Sequence, residues 1–144
     1  MWRKLELLIG SYLERTLIPQ LEKGENCLVL SNPSNPDEPG CIRFFPFGYD
    51  NANTVWPKWK MMHAVVNLWV RPDTGKRHSH KGWSITLVLA GSGTEDTENA
   101  PRKLRFCSLV FRGHTTPHRF VVDEGKMMWT LFIYGRRKHE QVWV

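Results

Sequence analysis

The sequence predicts an all-β domain, an antiparallel sandwich or barrel of seven or more short strands behind a single N-terminal helix. Three observations predict it. Segments rich in β-branched and aromatic residues recur after Gly24, clusters of turn-forming residues separate them, and helical periodicity is confined to the beginning of the chain. A length of 144 residues is one domain's worth, with no internal repeat. The expected organisation is a helical segment over 1–24 packed on a barrel formed by 25–144.

Residues 2–23 read as helix because Leu5, Leu8 (or Ile9), Tyr12 and Leu13 recur at three- and four-residue steps and would share one face against the barrel. Pro19 lacks an amide hydrogen and is expected to break or kink this segment. Residues 31–40 carry three prolines and a closing glycine, which predicts an irregular loop; residues 46–60, with Pro46, Gly48 and Pro57, read the same way. The predicted strands are 27–30, 41–45, 62–70, 84–90, 104–111, 118–122 and 127–134. The turn signals between them are Pro72-Asp73-Thr74-Gly75, Gly91-Ser92-Gly93, Gly113 and Asp123-Glu124-Gly125.

Composition narrows the function classes. No run approaches the roughly 18 apolar residues of a membrane span, and the charged opening Met-Trp-Arg-Lys-Leu-Glu does not read as a signal peptide. The expectation is a cytoplasmic protein with no membrane partner. The three cysteines, Cys27, Cys41 and Cys107, show no CxxC spacing, so a disulfide framework or zinc ribbon is disfavoured. A net charge of +6 permits nucleic-acid binding without requiring it, because the basic residues are dispersed apart from Arg136-Arg137-Lys138. No P-loop, GxSxG elbow, HExxH or HxD is present.

The residues with chemical potential are histidines. His78 and His80 flank Ser79, and on a strand the two-residue period puts both imidazoles on one face, where they can offer two nitrogens to one ion. His118 opens a later strand and could supply a third. Neutral imidazole suits iron, zinc, nickel or copper. The competing reading leaves His78 and His80 as surface histidines in a basic turn with Lys76, Arg77 and Lys81. His63, His114 and His139 have no such pattern.

Arg77-His78-Ser79-His80, followed by Leu87 to Glu95 with its Gly91-Ser92-Gly93 turn, resembles the first motif of the cupins, and Gly113 to Phe120 resembles the second. The text around them, including Trp129-Thr130-Leu131-Phe132 and Gly135-Arg136-Arg137, is similar to small cupin-like proteins of bacteria and phages. The resemblance implies a jelly-roll-like barrel, a site in the cytoplasm (of the host, for a phage protein), and a divalent metal ion on His78, His80 and His118. Iron is the first expectation, with zinc, nickel or manganese as alternatives. The usual cupin glutamate position is Ser84 here, a poor ligand. Either three histidines suffice, as in the thiol dioxygenase branch, or Glu95 adds an oxygen or serves as acid or base, with Tyr134 as a hydroxyl donor. Arg112, Arg119, Trp129 and Ser84 are the candidates for contact with substrate. The implied activity is that of an iron oxygenase, a dioxygenase-type oxidoreductase acting on a small molecule. Two alternatives stand beside it: a binding cupin without turnover, and a phage or bacterial interaction protein with a degraded pocket. Homodimerisation is compatible with each.

Overall fold

The computed structural model describes residues 1–32, 35–48, 56–71, 76–123 and 125–138. The Pro72–Gly75 turn and His139 lie outside the described residues, as does Glu124. One helix, α1 (Trp2–Lys23), precedes nine strands: β1 (Cys27–Asn32), β2 (Asn35–Phe44), β3 (Met62–Trp69), β4 (Ser84–Gly91), β5 (Gly93–Thr97), β6 (Arg102–Leu104), β7 (Leu109–Arg112), β8 (His118–Val121) and β9 (Met128–Gly135). Six form one sheet in the order β1-β2-β3-β9-β4-β7 and three form a second in the order β6-β5-β8. All the pairings are antiparallel.

The six-stranded sheet has two different faces. Ile42, Phe44, Val66, Leu68 and Trp129 point outward, and Leu13 and Leu17 of α1 bury them. The alternate residues point inward: Arg43, Asn67, Thr130 and Phe132 belong to this set, as do Ser84, Thr86 and Val88. The inner face meets the small sheet through a second cluster of Val88, Leu104, Val110, Phe120, Val122 and Met128.

Several expectations are corrected. The helix runs on through Pro19 to Gly24, whose left-handed φ of 67° closes it. Leu17, Ile18 and Leu21 are packed on both sides of the proline, so sheet packing outweighs the one missing backbone bond. The buried stripe is Ile9, Leu13, Leu17 and Leu21 at four-residue steps, whereas Leu5, Leu8 and Tyr12 are exposed. Residues 31–40 are largely strand, not loop, because β1 and β2 form one long hairpin. Pro36 and Pro39 are tolerated there because β3 pairs with β2 only from Cys41 onward, leaving the proline stretch a free edge. The strand expected over 104–111 is two strands in different sheets. The chain reverses at Cys107, which has φ 65°, and Val88 bonds the backbone of Cys107 and Ser108 on either side of the turn.

Candidate metal centre

The three histidines meet because of two backbone facts. His78 and His118 form an isolated antiparallel bridge and exchange both backbone hydrogen bonds at 2.9 Å, which puts them directly opposite each other. His80 lies two residues beyond His78, on the same face. The ring centroids are 5.2 Å apart for His78–His80 and His78–His118, and 4.9 Å for His80–His118. One potential ligand atom from each histidine lies within 4.8 Å of the others. The Nε2 atoms of His80 and His118 are 2.8 Å apart. Two nitrogens bound about 2.1 Å from one ion at a right angle would be about 3 Å apart, so this spacing fits a shared ion.

Glu95 explains the orientation of His118. It opposes Phe120 across β5–β8, which makes it the diagonal neighbour of His118 on the inner face. Its Oε1 is 3.1 Å from His118 Nδ1, close in distance though off the ideal hydrogen-bond line. A carboxylate there favours the Nδ1–H tautomer and leaves Nε2 as the lone-pair donor. Glu95 is buried, and Arg112 of β7 donates its Nε–H to the same oxygen. Arg112 also donates to Thr86 Oγ1 at 2.8 Å and lies over the Phe120 ring. The pair joins the large sheet to the small one. Burial alone would raise the Glu95 carboxyl, but the nearby His118 ring nitrogen and the Arg112 guanidinium outweigh it and hold the group below the usual carboxylate range.

His80 and His118 are held neutral. Burial is the chief cause that lowers His118 to about 4, with Arg112 and His78 adding to it and Glu95 opposing. Burial also drives His80 well below its ordinary value, helped by His118, His78, Arg112 and Arg43. Neutral imidazole is the form that binds a metal, so this donor set fits a divalent ion at neutral pH.

The remaining candidate residues are dispersed. Ser84 is buried on the inner face between Arg112 and Tyr134, and its hydroxyl has no hydrogen-bond partner among the described residues. Tyr134 is buried beside Phe132 and His63, with Phe132 between it and His80. Arg112 is committed to Glu95. Arg119, one residue after His118, points to the opposite face, where it and Arg77 share Asp96 at 2.7 and 3.0 Å. Trp129 lies on the helix side of the large sheet, stacked on Phe44. Alternation from His118 and from Thr130 carries the signal for both placements. Sequence reading missed Arg43, Asn67 and Phe132. Phe132 packs against His80 at 4.9 Å, and Arg43 lies 6.0 Å from the Phe132 ring while donating to Asn67 Oδ1 at 3.0 Å.

No family model matches the chain, and no curated protein matches it by sequence. Solved structures do. Rru_A2000 of Rhodospirillum rubrum, a cupin-2 domain, superposes with a TM-score of 0.60 at 15% identity, covering 81% of this chain and 72% of that one. The Streptomyces nucleoside dehydratase Pac13 gives 0.56 at 12% identity over 83% of this chain and 85% of its own. The DMSP lyase DddQ of Ruegeria pomeroyi gives 0.50 at 21% identity over 57% of this chain, which spans only 42% of that enzyme. At such identities the likeness is one of fold, and the fold is that of the cupins.

Proposed function

We propose that this protein is a metal-dependent cupin enzyme acting on a small molecule, with His78, His80 and His118 as the ligands of a mononuclear iron ion and oxygenase chemistry as the reaction class. The observation that carries the reading is the convergence of three imidazoles, one braced by a buried carboxylate. Iron bound there would supply a redox-active Lewis acid with coordination positions to spare for other ligands. The chain's own part is positional. Glu95 fixes the tautomer and orientation of His118, Arg112 holds Glu95, and the rings of Phe120 and Phe132 pack against His118 and His80. A second reading keeps the triad but gives it zinc, nickel or manganese acting as a Lewis acid without a change of oxidation state. Pac13 is described as a dehydratase and DddQ as a lyase, so the fold also hosts eliminations.

Metal analysis of the purified protein, measuring iron, zinc, nickel and manganese together, tests the centre. About one equivalent per chain is expected, lost in His80→Ala while the far-ultraviolet dichroism and cooperative unfolding persist. Equal metal in both proteins, or none in the parent, would remove the centre. The metal carried by the protein as isolated then separates the two readings. Iron that gives a high-spin ferrous–nitrosyl resonance with nitric oxide supports the oxygenase, and zinc, nickel or manganese in place of iron favours the Lewis-acid reading.

A further inference from the structure

Among the described residues, one half-buried cation on the inner face is left over by the metal-centre framework. Arg112 is neutralised by Glu95, and Arg77 and Arg119 share Asp96 on the other face of the small sheet. Arg43 differs from all three. It sits on β2 between Ile42 and Phe44, which face the helix, so alternation turns it to the inner face. Its Nε–H is fixed by Asn67 Oδ1, and Asn67 is itself buried opposite Thr130. Among the described residues neither Nη group of Arg43 has a hydrogen-bond partner, and no carboxylate forms an ion pair with it. The guanidinium and the His80 ring pack against the same Phe132 side chain.

We propose that Arg43 is the substrate-anchoring residue of this site and that the site takes small molecules bearing a carboxylate. The inference rests on the metal-centre reading given above. Imidazole ligates a metal without charge, so a divalent ion on the three histidines, with the Arg43 guanidinium on the same inner face, leaves that face with an uncompensated positive charge. An anionic ligand offsets that charge. The geometry is suited to this. One edge of the guanidinium is pinned by Asn67, so the Nη groups are oriented before any ligand arrives, and a planar fork of N–H donors matches a carboxylate.

The test uses cobalt-reconstituted protein and two probes of the same shape, propionate and uncharged propionamide, titrated by the visible cobalt spectrum. Propionate should bind at least tenfold more tightly than propionamide. Arg43→Gln should lose about tenfold to a hundredfold in propionate affinity, the usual yield of a charge-assisted pair, with cobalt content and propionamide affinity unchanged. Arg43→Lys keeps the charge without the fork and should fall between them; it also carries the test if the glutamine variant does not fold. Equal propionate affinity in parent and both variants, at equal cobalt content, overturns the anchor and leaves the metal centre standing. A parent that takes up no cobalt overturns the metal centre, and the anchor falls with it.

Discussion

Glu95 shows how one side chain can serve the site and the fold together. Its carboxylate is shared between His118 and Arg112, all three buried. Glu95→Gln keeps the shape but removes the charge. Arg112 would then be a buried cation without its counter-charge, left with a neutral amide, Thr86 and the Phe120 ring. We expect a loss of about 3 kcal/mol in denaturant unfolding, the scale for breaking a buried pair from one side. Metal affinity should fall about ten- to a hundredfold, as for the loss of a carboxylate behind a ligating histidine. Unchanged unfolding with unchanged metal affinity would show that Glu95 does neither. The depressed histidines set a pH dependence at the same scale. In metal-free protein the unfolded chain protonates these histidines near pH 6.5, whereas folded His118 resists until about 4. The unfolded state therefore binds more protons between those values, and stability should decline as pH falls through that window. His118→Gln should flatten the decline, and a profile that stays steep would place its cause elsewhere.

At the scale of elements, the critical features are the points where the chain passes from one sheet to the other. Gly91 ends β4, and Gly93 begins β5 in the small sheet. Gly91 has φ 81°, its N–H bonds Glu6 Oε1 of the helix at 2.9 Å, and a β-carbon there would lie 2.1 Å from the Met127 carbonyl oxygen. Both the left-handed backbone and the close approach exclude a side chain. Gly91→Ala should cost about 2 kcal/mol or more and displace the β4–β5 corner that delivers Glu95. Equilibrium unfolding measures the first effect and metal affinity the second. Gly125, also at positive φ but with open space around it, is the control, where only the backbone cost should appear. The helix acts differently. Leu13 and Leu17 bury the sheet face away from the histidines. Leu13→Ala should therefore lower stability by about 2–3 kcal/mol and leave metal content unchanged. A variant that lost metal in proportion to stability would tie the helix to the site.

At the scale of the whole molecule, the two sheets carry different burdens. Apolar clusters on both faces of the large sheet make the fold, while the Arg112–Glu95–His118 line joins the sheets where the metal would sit. Neither apolar cluster includes a histidine of the triad. Chelation should accordingly lower the Tm without abolishing cooperative unfolding, and re-added metal should restore it by mass action. A chain that unfolds outright on chelation would make the ion structural and weaken the case for an enzyme. Among the described residues no helix is long and apolar enough to cross a membrane.

The sequence by itself determined the all-β class, the N-terminal helix, most strands, and the three histidines, because each is written in local patterns: period two, turn residues, and one-residue spacing. It also pointed to Glu95, through the serine that replaces the usual ligand. Tertiary structure decided which charges face the histidines. Arg112, Arg119 and Arg43 look alike along the chain. Arg112 is consumed by a carboxylate from the other sheet, Arg119 is turned away by a single step of the pleat, and Arg43 comes to the inner face through a register with Asn67 that no local pattern encodes. Tertiary structure likewise carried the helix through Pro19 and extended the hairpin across Pro36 and Pro39, because packing and a free strand edge outweigh local propensity where they act.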